Sequence, residues 1–199
     1  MSDETTILAY NKIANLYKSK YSSENFWKKQ YADFEGLLKG EHIIDVGCGF
    51  GRDARHFVKD GYNVVGVDAS KSMISLAKKY VPKAKFYIKD MLTMRFSQKF
   101  DGIWCCASLL HIKKRNVRSL LDNFKRSMKP NGVLFISVKK GRGEEYKTYP
   151  DGTKRFFANY FGRELREIVN KNGFKTVLLY THKDKENGTW ISLFALKDK

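Results

Sequence analysis

His42-Ile43-Ile44-Asp45-Val46-Gly47-Cys48-Gly49-Phe50-Gly51-Arg52-Asp53 is the stretch on which the fold turns. A mostly apolar, β-branched run ends at Val46 and enters three alternating glycines. That is the pattern of a buried strand breaking sharply into a helix, where glycine supplies positive φ and lets a ligand approach the backbone. In an open α/β sheet the ligand crevice lies beyond the carboxyl ends of such strands, where strand order reverses. A dinucleotide fingerprint would need a further glycine at position 52, and Arg52 stands there. The loop therefore reads as a nucleoside site without the geometry suited to a pyrophosphate. The next apolar run, Asn63 to Val67, ends at Asp68, where a carboxylate can accept both hydroxyls of a ribose.

Outward from this centre the period keeps switching between strand and helix. Helices are expected over 53–59, closing at Gly61, and after Ser70, an N-cap followed by Met73, Ile74, Ala77 and Tyr80. Strands are expected over 85–88 and 100–106. The helical stripe Val117, Leu120, Leu121, Phe124, Met128 leads to a turn at Pro130-Asn131-Gly132 and a strand over 133–138. A helix through Leu165, Ile168 and Val169 stops at Asn172-Gly173, and two strands, 174–180 and 189–196, flank a polar loop. This alternation predicts a mostly parallel sheet covered on both faces. The last two strands have too short a connection for a crossover and must be antiparallel. Ahead of the sheet, Tyr10, Ile13, Ala14 and Tyr17 form a helical stripe, and a second helix is expected over 24–38.

The 199 residues suit one unit, and 42% hydrophobic content is enough for a core. No stretch is long enough to span a bilayer, and the N-terminus lacks a signal-peptide pattern. Cys48, Cys105 and Cys106 have no metal-ligand spacing and no disulfide framework, so no metal is expected and a cytoplasmic location fits. The net charge of +17 leaves RNA or another polyanion open as a partner, but the basic residues are spread without an arm or tail.

With "DVGCGFGRDA", "VVGVDAS", "IKDM", "FDGIWCCASLLH" and "KPNGVLFISVKKG" in this order, the sequence resembles the class I S-adenosylmethionine-dependent methyltransferases over about residues 40 to 196. The resemblance implies an α/β, Rossmann-like, doubly wound seven-stranded sheet, mostly parallel with a reversed last strand. Residues 1–39 would form a helical lid on a methyltransferase domain at 40–199. S-adenosyl-L-methionine would be the cofactor and S-adenosyl-L-homocysteine the product. Gly47 and Gly49 would lie against its methionine, Asp68 would hold the ribose, and Ala69 and Met73 would flank the adenosine. Asp90 would bind the adenine amino group, Met91 would pack on the ring, and Cys106 and Ala107 would border the sulfonium. Asp90 alternatively caps the segment after its strand, and Met73 and Met91 are alternatively plain core. Asp45 would brace the loop.

Arg52 either contacts the cofactor's carboxylate or pairs with Asp53. Tyr10 and Tyr17 either cover the cofactor from the lid or staple their helix down. His111, just beyond a strand tip, has the intrinsic pKa of a general base; the alternative is a histidine bonded to backbone. His111 and Tyr17 are the catalytic candidates. The stretch from Lys139 to Tyr160 is too long for an ordinary connection, which makes Glu144, Tyr146, Phe156, Phe157 and Tyr160 candidates for the acceptor pocket. A small-molecule acceptor is the first expectation, with RNA and a non-catalytic cofactor-binding protein as alternatives. A monomer or a homodimer is expected.

Overall fold

The computed structural model describes residues 2–23, 25–184 and 188–198. Helix α1 (Glu4–Tyr21) starts at Asp3, whose carboxylate accepts the Thr6 N–H at 2.9 Å and fills an orphan donor of the first turn. A 3₁₀ turn (Asn25–Trp27) leads into α2 (Lys28–Leu37); the first expected residue of that helix, at 24, lies outside the described residues. The α/β body then follows as β1 (His42–Val46), α3 (Arg52–Lys59), β2 (Asn63–Asp68), α4 (Lys71–Tyr80), β3 (Lys85–Ile88) and β4 (Phe100–Cys106). Two 3₁₀ turns, Leu109–His111 and Lys114–Asn116, precede α5 (Val117–Ser127) and β5 (Met128–Lys139). Next come β6 (Glu144–Thr148), β7 (Lys154–Ala158), α6 (Gly162–Lys171), β8 (Phe174–Asp184) and β9 (Gly188–Lys197).

Seven strands form one sheet in the order β3-β2-β1-β4-β5-β9-β8. Only β9 runs against the rest, pairing antiparallel with both β5 and β8. The chain goes outward from β1 in one direction through β2 and β3, then returns to β4 on the other side. The switch point therefore lies between β1 and β4, where a crevice must open beyond the strand ends. Ile43, Ile44, Val46, Ile103 and Trp104 are fully buried there, and the Trp104 ring stacks on Phe135 at 3.9 Å.

Three expectations change. Strand β5 begins at Met128, which pairs with Phe100, so Pro130-Asn131-Gly132 is an irregularity inside the strand; Asn131 takes φ 58° to make it. The stretch after β5 is no irregular loop. β6 and β7 pair from Glu144↔Ala158 to Thr148↔Lys154 as a separate hairpin. Finally, α2 belongs to the core: Trp27, Tyr31 and Phe34 are buried, and Tyr31 stacks on both His56 and Trp104. Of the first 39 residues, α1 crosses the crevice, and the 3₁₀ turn adds Phe26 and Trp27 to its wall.

Candidate active site

The glycine loop is held from below by β2. Gly47 and Cys48 both donate to the Val67 carbonyl, at 2.8 and 3.0 Å, and Gly51 caps α3 with φ 89°. Gly47 has φ 74°, and a Cβ there would sit 2.3 Å from that of Ser108, whose Oγ donates to the Val46 carbonyl. Gly49 in contrast faces open space, with no neighbour nearer than the Met73 sulfur at 4.0 Å.

Asp68 faces this loop. One carboxylate oxygen accepts the Gly49 N–H at 2.9 Å and the other the Ser70 N–H at 2.8 Å. Burial pushes its carboxyl up, while the Ser70, Gly49 and Ala69 N–H groups hold it down; burial prevails. The two oxygens offer about four acceptor sites to these three N–H groups, which leaves capacity for a ligand hydroxyl.

One cavity runs from this loop to the β6–β7 hairpin. Gly47, Gly49, Asp68, Ala69, Met73 and Met91 line its first half, and Cys106 and Ala107 its middle. Ala107 takes φ 50°, an uncommon conformation for a residue with a Cβ, at the tip of β4. Arg52 also lines the wall, but its guanidinium is committed to Asp53, with Nε 2.5 Å from Oδ1 and an Nη 3.1 Å from Oδ2. Asp53 is buried and also accepts from Tyr31 (2.6 Å) and Trp104 (2.8 Å). Asp45 is buried beneath the loop and does not line the cavity; one of its oxygens has no partner.

Asp90 takes the capping role that was the alternative for it. It is not in the cavity wall, and its carboxylate accepts from Ser2 N (2.7 Å), Ser2 Oγ (2.6 Å) and Leu92 N (2.9 Å). The turn after β3 needs its N–H groups satisfied, and Asp90 does that work. Lys89 and Met91 reach the cavity on either side.

Helix α1 roofs the cavity. The Asn11 amide oxygen accepts from Ser70 Oγ and Ser72 N, tying α1 to the start of α4, and Ala14 packs on Phe50 and Met73. Tyr10 and Tyr17 meet edge to face at 5.5 Å and both line the cavity. Beyond them, His111 Nδ1 lies 2.7 Å from the Phe156 carbonyl and Nε2 lies 2.9 Å from the Tyr10 hydroxyl. A carbonyl only accepts, so Nδ1 carries the hydrogen, Nε2 is the acceptor, and Tyr10 donates to it. Burial pulls the His111 pKa down to about 4, with the Arg155 and Lys139 cations pushing the same way, against the Phe156 carbonyl and Asp3. The ring is neutral at pH 7. Burial also holds the Tyr10 and Tyr17 hydroxyls protonated, the latter pushed up to about 12.

Of the five pocket candidates on the hairpin, only Phe157 lines the cavity. Glu144 is exposed and accepts the Lys114 N–H; Tyr146 is exposed and donates to Asp3. Phe156 is buried against Tyr146, and Tyr160 is buried beneath the Lys114 ammonium at 4.4 Å. Strand alternation explains the split, because Arg155 and Phe157 share one face of β7 while Phe156 points to the other. Arg155, Tyr149, Lys139, Trp190, Phe26 and Trp27 complete this end of the cavity, none of them foreseen. A period-two reading of Lys154–Ala158 would have found Arg155.

Residues 43–132 match the family described as "Methyltransferase domain". The ubiquinone biosynthesis O-methyltransferase of Coxiella burnetii (strain Dugway 5J108-111) is 34% identical over 115 residues, 55% of this chain and 48% of the relative. The chain thus spans about half the length of such relatives. Among solved structures, a SAM-dependent methyltransferase of Methanosarcina mazei superposes with a TM-score of 0.77 at 18% identity, covering 84% of this chain and 98% of that one. The 1,6-didemethyltoxoflavin-N1-methyltransferase of Burkholderia thailandensis, with bound 1,6-didemethyltoxoflavin and S-adenosylhomocysteine, gives a TM-score of 0.75 at 19% identity. It is covered over 88% of its length by 97% of this chain. At these identities the two structures speak for the fold.

Proposed function

We propose that this chain is a class I S-adenosylmethionine-dependent methyltransferase that transfers a methyl group from S-adenosylmethionine to a small organic acceptor, a reading supported by the match of residues 43–132 to the methyltransferase family. The observation that carries the reading is Asp68, whose carboxylate is set by the Gly49, Ser70 and Ala69 N–H groups and keeps acceptor capacity at a roofed cavity at the switch point. Asp68 would hold the ribose, Gly47 and Gly49 the methionine end, and Ala69, Met73 and Met91 the adenosine. Cys106 and Ala107 would border the sulfur. Asp90 supports this reading only if Ser2 gives way. Arg52 contributes through Asp53, keeping the wall of the cavity in place.

The cofactor supplies an activated methyl group. The chain's own task is then to bring the acceptor atom in line and to exclude water. Tyr17 and Tyr10 cover the centre of the cavity, and α1 acts as the lid. His111, neutral with Nε2 as acceptor, can take a proton passed through the Tyr10 hydroxyl, or from the acceptor in place of Tyr10. Its depressed pKa makes it a weak base, suited to an acceptor that is already acidic.

A small acceptor is supported by the roof, since α1 and the hairpin close over the cavity. The Burkholderia enzyme, of like fold, is named for such an acceptor. RNA as acceptor rests on the net charge of +17. No helix among the described residues is long and apolar enough to cross a membrane. Three free, buried thiols support a cytoplasmic site of action.

Calorimetric titration with S-adenosylhomocysteine tests the reading. Binding to the wild type is expected, with Asp68→Ala weaker by about a hundredfold for two lost charge-assisted hydrogen bonds. Equal affinity in the variant would overturn the assignment. RNA binding that collapses with salt would move the acceptor toward a polymer.

A further inference from the structure

The acceptor end of the cavity holds a buried cation, Arg155, to which no carboxylate is paired among the described residues. Arg155 projects from β7, where it pairs across the hairpin with Lys147, and is 7% exposed. Its guanidinium lies 3.4 Å from the centroid of the Tyr149 ring and 5.5 Å from that of Tyr10. Ring faces offset part of the cost of burying a cation, but only part. No carboxylate pairs with it among the described residues, and its Nε–H is buried without an acceptor. Asp151, the acid nearest in sequence, accepts from Thr153 instead. Buried donors are nearly always satisfied in native proteins, so a buried Nε–H without an acceptor, on a cation lining a cavity, points to a missing partner.

Two neighbours share this character. The Trp190 indole N–H is buried and unpartnered, and Trp190 also lines the cavity. The Lys139 ammonium lies 5.3 Å from the centroid of Phe157 and 5.6 Å from that of Trp190. The surfaces between these donors are flat rings: Tyr149, Phe157 and Trp190. Asp184, also in the cavity wall, acts on Lys139, so of these two cations it is Arg155 that has no carboxylate of its own among the described residues. An anionic acceptor would pair with it.

We propose, building on the methyltransferase reading, that Arg155 is the acceptor-recognition residue and that the acceptor is a planar organic acid whose carboxylate pairs with its guanidinium. Arginine matches a carboxylate with two parallel N–H donors, which a neutral amide cannot exploit. The aromatic walls select a flat body, and the acid group fixes which end points toward the hairpin. The methylated atom then lies on the part of the molecule directed back toward Cys106 and Ala107.

The test uses the full chain and a matched probe pair, benzoate and benzamide, followed by tryptophan emission, since Trp27 and Trp190 stand in the cavity wall. Titrations are run with and without saturating S-adenosylhomocysteine, so the result does not depend on the cofactor reading, which fails separately if S-adenosylhomocysteine does not bind. Benzoate is expected to bind about tenfold or more tightly than benzamide, the ratio that a charge-assisted pair supports. Arg155→Met should bring the two probes level and leave S-adenosylhomocysteine affinity unchanged. Arg155→Lys should keep a reduced preference, because the charge remains while the fork is lost. Wild-type protein that does not distinguish the probes, or binds neither at millimolar concentration, overturns the proposal. So does Arg155→Met that retains the preference, or that weakens S-adenosylhomocysteine instead, which would assign the arginine to the cofactor's own carboxylate. Thermal unfolding separates these results from misfolding: loss of an unpaired buried charge should leave Arg155→Met as stable as wild type or more so.

Discussion

His111 makes the stability of this protein depend on pH in a window where few other groups titrate. Its pKa falls from the ordinary 6.5 to about 4 in the folded chain, because burial and nearby Arg155 and Lys139 disfavour the charged ring. A histidine depressed on folding contributes full stability above pH 6.5, and that contribution is lost as pH falls toward 4, since the unfolded chain takes up the proton first. Over the whole window the loss is about 3.5 kcal/mol, from about 2.5 pKa units at about 1.4 kcal/mol each. At pH 5 it is about 2 kcal/mol, which for a chain of this length corresponds to about 4–8 °C in Tm. His111→Gln keeps one donor and one acceptor but cannot take up this proton. Thermal unfolding of both proteins from pH 7.5 to 5 should show wild type losing this amount more than the variant, other carboxylate effects cancelling. Parallel losses in the two proteins, or a His111 titration by NMR near 6.5, would refute both the neutral ring and the donor roles assigned to Tyr10 and Nε2.

Other substitutions probe the scaffold around the cavity. Asp53→Asn leaves the Arg52 cation without its buried counter-ion, and urea unfolding should show a loss of about 3–5 kcal/mol; a loss under about 1 kcal/mol would mean that the cluster is not coupled as drawn. Gly47→Ala places a Cβ 2.3 Å from the Ser108 Cβ at φ 74°, so both stability, by about 2 kcal/mol, and S-adenosylhomocysteine binding should suffer; wild-type values for both would show that the loop relaxes freely. Burial raises the Asp45 carboxyl well above its ordinary range, with Asp53 and Asp68 near it acting in the same direction and Arg52 against it. A carboxyl raised on folding lowers stability as pH climbs above the unfolded value of about 4, so Asp45→Asn should gain on wild type between pH 4 and 7; a constant difference across that range in chemical denaturation would sink the assignment.

The half of the site that could be read in advance is the half built from contiguous sequence. The strand before Gly47, the acid at Asp68 and the Ser70 cap each announce themselves locally, since a sharp strand-to-helix turn needs glycine and a helix start needs an acceptor. Alternation and connection length gave a mostly parallel sheet whose last two strands are antiparallel, while the seven strands with a reversed last one were implied by the family resemblance. Asp90 stayed ambiguous because an acid after a strand can face a ligand or satisfy the next turn, and here Leu92 and the distant Ser2 donate to it. α2 misled: an aromatic stripe at helical spacing says that a face is buried but not against what, and Tyr31 found Trp104 and His56.

The acceptor end was hidden for a different reason. Its wall is assembled from α1, the tip of β5, the β6–β7 hairpin and β9, and no local pattern joins them. What determined which hairpin residues face inward was a strand period running through Lys154–Ala158, invisible while the stretch was taken as a loop. Once it is a strand, one face carries Arg155 and Phe157 and the other carries Phe156, whose backbone carbonyl instead sets the tautomer of His111. The hairpin thus fixes two things at once: a positive charge at the far wall, and the orientation of a neutral imidazole near the centre. Both act in the same direction. A weak base beside an uncompensated cation is poorly suited to generating an anion from a neutral acceptor, and well suited to receiving an acceptor that arrives as one.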